Sequence, residues 1–577
     1  MTHRRPRLAC SFAGALLLIL ACWSVACGAA GPGRAAIATA HPAATAAGFA
    51  VLAQGGNAFD AAVAISAALA VVEPAGSGLG GGGFWLLHRA VDARTVMVDG
   101  RERAPLAATA DLYLDEKGRF QARRAQDGAL AAAIPGQPAA LAYLATHYGR
   151  LPLAVALDPA IRLAREGFAV GRDYAVLAGY RLPALLASPA ARRTFLAAGL
   201  APVPGWRLRQ PDLVDTLQAL AARGHDGFYR GPVAARLVRG VREAGGIWTA
   251  ADLADYRVVE RAPIRFDYRD MRVISAAPPS SGGVVLAEAL QILAGVDLVA
   301  QAPAERIHWT TEAMRRAYRD RALELGDPDF VDLPLARLLD PDYADALRAD
   351  IDPDRATPSA TPAPDGSAGL DRHTTHFSVI DADGNRVAAT LSINTPFGSA
   401  FMPPGTGVVL NNEMDDFAAA PGAPNAYGLV GSAANAIAPG KRPLSSMSPT
   451  FLEQGDRIAI LGTPGGSRII SMVLLASLAF AEGADADTMV ALPRYHHQYL
   501  PDRLFHEPGA FDGAVIEALA AKGHHVEAVS RRYGDMQVIV WDRRSDALTA
   551  ASDPRGEGLA RVELPHQTAS TSMTVGR

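Results

Sequence analysis

Thr374 stands where two unlike stretches of this chain meet, and its hydroxyl could do chemistry under one condition. A threonine hydroxyl is a weak nucleophile unless a base lies beside it, and an N-terminal threonine carries its own base, the α-amine. That amine titrates at about 7.7–8.0, close to working pH, which suits proton shuttling. Inside a chain the nitrogen is an amide, so the His373–Thr374 bond has to be cut first. Before the cut, the Thr374 hydroxyl could attack its own preceding carbonyl and let the chain break through an ester.

The residues around Thr374 predict a β-hairpin. His373 to Ile380 reads as a strand, Asp381-Ala382-Asp383-Gly384-Asn385 as a turn and Arg386 to Asn394 as the returning strand. A turn centred on Asp383 sets Thr374 opposite Ser392, with Cβ atoms about 5 Å apart. A two-residue Asp383-Gly384 turn sets Ile393 there instead. In the first register the Ser392 hydroxyl would hydrogen-bond the freed amine and fix its direction.

Other reactive side chains are scarce. Lysine occurs only at 117, 441 and 522; the rest of the 55 basic residues are arginine. The three cysteines, Cys10, Cys22 and Cys27, precede the folded body, which excludes a disulfide framework, a cysteine nucleophile and a cysteine-ligated metal there. Gly76-Ser77-Gly78-Leu79-Gly80-Gly81 fits a dinucleotide fingerprint, yet it follows a helix pattern and precedes a strand, so it reads as a packed loop. Asp381 to Asn385 lacks the helices and final glutamate of a calcium loop. His496-His497 reads as packing, and Ser280-Ser281 as a helix cap.

The elements that must position Thr374 follow from the rest of the pattern. Residues 43–53 predict a helix stopped by Gly55-Gly56. Asn57 caps a second helix from Ala58 to about Val72, and the 76–83 loop leads into a strand, Phe84 to Leu87. Mixed helix and strand patterns continue to about residue 350. Asp352 to Leu370, rich in Pro, Ala, Thr, Ser and Asp, predicts an exposed flexible linker reaching the cut at about 373. The 577 residues, 49% hydrophobic and 20% charged with a net charge of −4, indicate a large globular body and give no electrostatic footprint for nucleic acid. Residues 1–30 read as a secretory signal, with Arg4, Arg5 and Arg7 ahead of an apolar core from Phe12 to Val25. Ser24-Val25-Ala26-Cys27 is an imperfect lipoprotein box that would leave Cys27 lipidated; cleavage near Ala30 is the plainer reading. No later stretch is long and apolar enough to span a bilayer. The mature protein is expected to be exported, to the periplasm in the plainest case, either lipid-anchored or secreted in soluble form.

With these motifs in view, the sequence resembles the γ-glutamyltransferases, members of the N-terminal-nucleophile hydrolases. The resemblance runs from about Ala36 to the C-terminus. It is carried by Gln54-Gly55-Gly56-Asn57-Ala58-Phe59-Asp60-Ala61-Ala62, Pro279-Ser280-Ser281-Gly282-Gly283, Thr374-Thr375-His376, Asn411-Asn412-Glu413-Met414-Asp415-Asp416-Phe417, Arg442-Pro443-Leu444-Ser445-Ser446-Met447 and Pro464-Gly465-Gly466-Ser467. It implies an α+β fold, a four-layer αββα sandwich built from two chains cut from one precursor. The large subunit would be 31–373 and the small catalytic subunit 374–577, joined as a heterodimer. It implies cleavage between His373 and Thr374, attack by Thr374 on a γ-glutamyl amide, and an acyl-enzyme passed to water, amino acids or peptides, with glutathione as a donor. Gly465 and Gly466 match an oxyanion hole. Arg101 matches the arginine for the substrate α-carboxylate, assisted by Ser445 and Ser446. Asn394, Glu413 and Asp416 match the residues that hold the α-ammonium. Tyr427, within Pro421 to Pro439, matches a lid. No cofactor or metal is implied.

The charges are sensible in their own right. A γ-glutamyl group ends in a zwitterion, which calls for a planar cationic fork and nearby carboxylates. Two positions depart from the commonest family pattern: Ser392 stands where threonine is frequent, and Glu413 where several bacterial relatives carry glutamine. The competing functions are a cephalosporin (glutaryl) acylase on the same scaffold, whose substrates lack the α-ammonium, and a binding protein that never matures.

Overall fold

The computed structural model describes residues 31–359, 374–420 and 422–564, together with Thr2. The signal read at 1–30, the linker from 360 and His373 itself lie outside the described residues. No helix among those described is long and apolar enough to cross a membrane.

Two antiparallel sheets form the centre. Among the described residues the first has seven strands, in the spatial order Leu559–Glu563, Ala35–Thr39, Thr375–Ile380, Arg386–Ser392, Gly82–Arg89, Arg94–Asp99 and Val259–Arg261. The second has six: Ala547–Ser552, Gln537–Asp542, Arg457–Gly462, Thr450–Gln454, Met271–Ser275 and Ile264–Tyr268.

Successive side chains of a strand point to opposite faces, and the two faces of the first sheet join different cores. Ile37, Trp85, Leu87, Phe377, Val379 and Leu391 pack with the helices Pro42–Leu52, Ala58–Val72 and Leu153–Glu166. Their alternates Ala36, Ala38, Phe84, Leu86, Ile380 and Ala388 pack with the second sheet and with the helices Gly282–Ala294, Pro303–Glu324 and Arg468–Ala481. The layer order is helix, sheet, sheet, helix, as expected. Strands buried on both faces explain why Thr375–Ile380 and Arg386–Ser392 have no exposed residue.

The predicted start of the second helix is accurate because its cap is local. Asn57 Oδ1 accepts from the Phe59 and Asp60 N–H groups, Asp60 Oδ2 accepts from the Asn57 N–H, and the helix runs Ala58–Val72. The linker expectation needs correction over residues 352–359. They are tied down: the Asp352 carbonyl meets His308 Nε2 at 2.9 Å, the Thr357 N–H donates to Glu312 Oε1 at 3.1 Å, and the Ser359 N–H donates to Asp502 Oδ2 at 2.8 Å. Distant side chains supply partners that the local composition does not reveal.

Candidate active site

The hairpin turn closes with a bond from the Asp381 N–H to the Asn385 carbonyl at 3.0 Å. The Asp381 carboxylate serves the turn and a neighbouring helix: Oδ1 accepts from the Asp383 and Asn385 N–H groups, and Oδ2 from the Ala58 N–H. The register pairs Leu391 with Thr375 and Arg386 with Ile380, so the turn is centred on Asp383. Thr374, one step beyond the strand, reaches Ser392: their hydroxyl oxygens are 2.9 Å apart. Of the two registers open to the sequence, this is the one that juxtaposes the hydroxyls.

Thr374 is buried and has φ +86°. For a β-branched residue that is a strained conformation. Its N–H donates to the Gly76 carbonyl at 3.1 Å. The glycine loop that imitates a nucleotide motif is therefore the seat of the threonine. At Gly81 a Cβ would lie 2.1 Å from the Ser392 carbonyl oxygen, so only glycine lets the loop pass beneath the hairpin.

A cleft of about 320 Å³ brings Thr374 and Ser392 together with Arg101, Asn394, Glu413, Asp416, Tyr427, Ser445, Ser446 and Gly466. Arg101 follows the strand Arg94–Asp99, whose Asp99 carboxylate accepts the Arg101 N–H at 2.9 Å. Its Nη1 donates to Glu413 Oε2 and its Nη2 to Asp416 Oδ2, both at 2.6 Å. Glu413–Asp416 is a short 3₁₀ turn held by Asn411, whose Oδ1 accepts the Glu413 N–H at 2.9 Å. The predicted fork and carboxylates thus form one cluster.

The cluster holds more acid than base, because Glu102 also lies 3.5 Å from Arg101 Nη1. Burial pushes the Glu413 carboxyl well above the usual carboxylate range despite Arg101, and pushes Glu102 up to about 7. Next to it, burial also raises Asp415 to about 7. Glu413 Oε1 is buried without a hydrogen-bond partner among the described residues. Asn394 has φ +75°; its Nδ2 donates to the Asn412 carbonyl at 3.0 Å, and its N–H donates to Ser392 Oγ at 2.8 Å.

Gly465 and Gly466 precede the helix Arg468–Ala481 with φ +139° and +57°. Neither N–H has a protein acceptor among the described residues. Two such donors at a helix N-terminus suit a developing oxyanion. The Tyr427 ring lies against this turn, 2.4 Å from where a Gly466 Cβ would be, and its hydroxyl donates to the Asn394 carbonyl at 2.9 Å. The loop carrying Tyr427 is stitched down by Asn425 Nδ2 on Asp416 Oδ1 at 3.0 Å and by the Ala426 N–H on Asp415 Oδ2 at 2.7 Å.

The sequence reading passed over Arg321. It lines the same cleft, buried, with Nε on Ser281 Oγ at 2.9 Å and Nη2 on Ser446 Oγ at 3.2 Å. A signal existed: Met314, Ala317 and Tyr318 mark the buried face of the Pro303–Glu324 helix, and Arg321 falls on that same face. Ser281 is correspondingly not the cap it was expected to be. Its hydroxyl donates to the Ser445 carbonyl at 2.7 Å, while Ser280 Oγ accepts the Gly282 N–H at 3.1 Å.

His496 and His497 are buried and hydrogen-bonded to Ser471, Gln498 and Asp502. One trio with ligand-like spacing, His308, Glu312 and His524, occurs among the described residues. Its glutamate is already occupied: Oε1 accepts from Arg315 Nε at 3.1 Å and Oε2 from Arg316 Nη1 at 2.6 Å. The trio is a hydrogen-bonded core.

The sequence profile of the family described as Gamma-glutamyltranspeptidase matches residues 44–562. A "Glutathione hydrolase proenzyme" of Pseudomonas sp. (strain A14) is 45% identical over 471 residues, covering 81% of this chain and 82% of the relative. Its counterpart in Escherichia coli (strain K12) is 41% identical over 525 residues, 90% of each. Among solved structures, a cephalosporin acylase from Bacillus halodurans is similar with a TM-score of 0.81 and 29% identity, covering 92% of this chain and 96% of that one.

Proposed function

We infer the working of this site from one premise: the chain belongs to the gamma-glutamyltranspeptidase family, and its activity is γ-glutamyl transfer and hydrolysis. The observation that carries the rest is the Thr374–Ser392 hydroxyl pair, 2.9 Å apart, in a cleft that also holds Arg101, Glu413 and Asp416. In the precursor, the strained Thr374 turns its hydroxyl on the preceding carbonyl. The C–N bond breaks as the ester forms, which frees the Thr374 amine, and water then cleaves the ester to the His373 carboxylate and the Thr374 hydroxyl. The products are a large chain ending at 373 and a small chain, 374–577, which stay together as a heterodimer.

In the mature site the amine takes the proton from Thr374 Oγ1, which attacks the γ-carbonyl of the donor. Ser392 orients the amine. The Gly465 and Gly466 N–H groups receive the oxyanion. The proton passes to the leaving amine, and the acyl-threonine is cleared by water or by the amino group of an amino acid or short peptide. Arg101, Ser445 and Ser446 receive the donor α-carboxylate; Asn394, Glu413 and Asp416 receive its α-ammonium; Tyr427 shields the ester. Glutathione is the donor suggested by the relatives' names. The leader at 1–30 supports export, to the periplasm in the plainest case.

The likeness to a cephalosporin acylase keeps a glutaryl-accepting amidase as the second reading. Comparing γ-glutamyl and glutaryl anilides separates the two, and pH sharpens the comparison. Glu413 is protonated well above the usual carboxylate range, so raising the pH ionises it and creates a partner for the α-ammonium. The KM of the γ-glutamyl anilide is expected to fall as pH rises beyond the usual carboxylate range, with no such fall for the glutaryl anilide. Faster turnover of the glutaryl substrate would overturn the γ-glutamyl reading.

A further inference from the structure

We propose that Arg321 is a positioning and specificity residue: it sets the Ser446 hydroxyl as a hydrogen-bond donor and supplies the uncompensated positive charge that recognises the donor's α-carboxylate. This rests on the reading of the cleft given above.

The first support is charge. Arg101, the cation the sequence points to, is already matched by Glu413 and Asp416 at 2.6 Å and by Glu102 at 3.5 Å. Even with Glu413 protonated, Arg101 keeps the Asp416 carboxylate at 2.6 Å as a counter-charge. Arg321 differs: no carboxylate lies within ion-pair distance of it among the described residues, and both of its recorded partners are serine hydroxyls. Burial, its dominant influence, lowers its pKa, as befits a cation without a contacting anion. A buried guanidinium facing a cleft with only neutral partners is costly unless an anion comes to it.

The second support is the direction of the hydroxyl protons. A serine hydroxyl has one proton to give. Ser446 Oγ accepts from Arg321 Nη2, and Ser445 Oγ accepts from the Met447 N–H at 3.1 Å. Neither hydroxyl donates to a protein acceptor among the described residues, so both protons are available to a ligand in the cleft they line. Ser281 completes the arrangement: it accepts from Arg321 Nε and spends its proton on the Ser445 carbonyl. Arg321 thereby joins the 280–281 turn to the 445–447 segment and polarises one of the two donors. A hydroxyl polarised by a cation is a stronger donor to a carboxylate than a free one.

The test compares two anilides on processed enzyme, counted by active-site titration: L-γ-glutamyl anilide, and 4-aminobutyryl anilide, which lacks the α-carboxylate. In Arg321→Met the KM of the γ-glutamyl substrate is expected to rise at least ten-fold, with the 4-aminobutyryl KM unchanged within two-fold. In Arg321→Lys, which keeps charge and loses the fork, the rise is expected to be smaller and again confined to the γ-glutamyl substrate. Ser446→Ala combined with Arg321→Met should cost less than the sum of the two single changes. An equal loss on both substrates would mean a merely structural role and overturn the proposal. No change in either Arg321 variant would also overturn it. Should Arg321→Met fail to mature, the Lys variant alone decides by the same ratio. If the unaltered enzyme does not itself prefer the γ-glutamyl anilide, the reading of the cleft fails first and takes this proposal with it.

Discussion

Replacing Thr374 by alanine is expected to leave one uncut chain with no measurable turnover. The hydroxyl is asked to do two jobs, breaking the peptide bond before it and attacking the donor, and alanine can do neither. Removing the nucleophile of a covalent hydrolase costs on the order of 10⁵-fold or more in rate. The fold should survive, since the change deletes a hydroxyl bonded to Ser392 and a methyl, at a position whose positive φ favours neither residue. Thr374→Ser keeps the oxygen and should mature, more slowly. The measurement is a denaturing gel with N-terminal sequencing of the smaller band. Two normal bands from Thr374→Ala would remove Thr374 from the chemistry.

Asp416→Ala is expected to raise the KM of γ-glutamyl donors about 10- to 100-fold with kcat much less affected. A charge-assisted hydrogen bond contributes about 1.5–3 kcal/mol, which sets that range. The loss reaches past the ligand. Arg101 Nη2 gives up a partner at 2.6 Å, and Asn425 Nδ2 one at 3.0 Å, so the Tyr427 loop loosens with it. A glutaryl anilide, with no ammonium to hold, should feel the change far less. An unchanged KM for the γ-glutamyl donor would exclude Asp416 from the binding site.

The parts legible in the sequence were those fixed by short-range rules. Asn57 with Asp60 announces a helix start, and the Asp381 to Asn385 turn limits Thr374 to two partners. The turn could not choose between them, because Asp and Gly suit both a two-residue and a longer turn; the one formed closes from the Asp381 N–H to the Asn385 carbonyl, and its Asp381 carboxylate also accepts the Ala58 N–H, 323 residues away. The family resemblance supplied the cleft residues but not their mutual pairing: that Arg101 donates directly to Glu413 and Asp416 is a property of packing alone. Ser281 was misread for a similar reason. Serine before a helix is commonly a cap, and nothing local says that Arg321, 40 residues on, claims it instead. Residues 352–359 were misread because polar, proline-rich composition describes the segment and not His308, Glu312 and Asp502, which wait for it elsewhere in the chain.

The two strands that lead to and from the nucleophile lie inside the first sheet, with Ala35–Thr39 on one side and Gly82–Arg89 on the other. Both flanking strands precede residue 373, and the outermost strand, Leu559–Glu563, comes from the far end of the chain. Scission at 373, as proposed above, would therefore not release either piece: each would be laced through the other, and parting them would mean melting the sheet. Maturation is a ratchet in this sense. The precursor folds as a first-order event, whereas the matured pair, once unravelled, must find its other half by collision. Renaturation yield should accordingly fall with dilution for the cut protein and stay level for uncut Thr374→Ala.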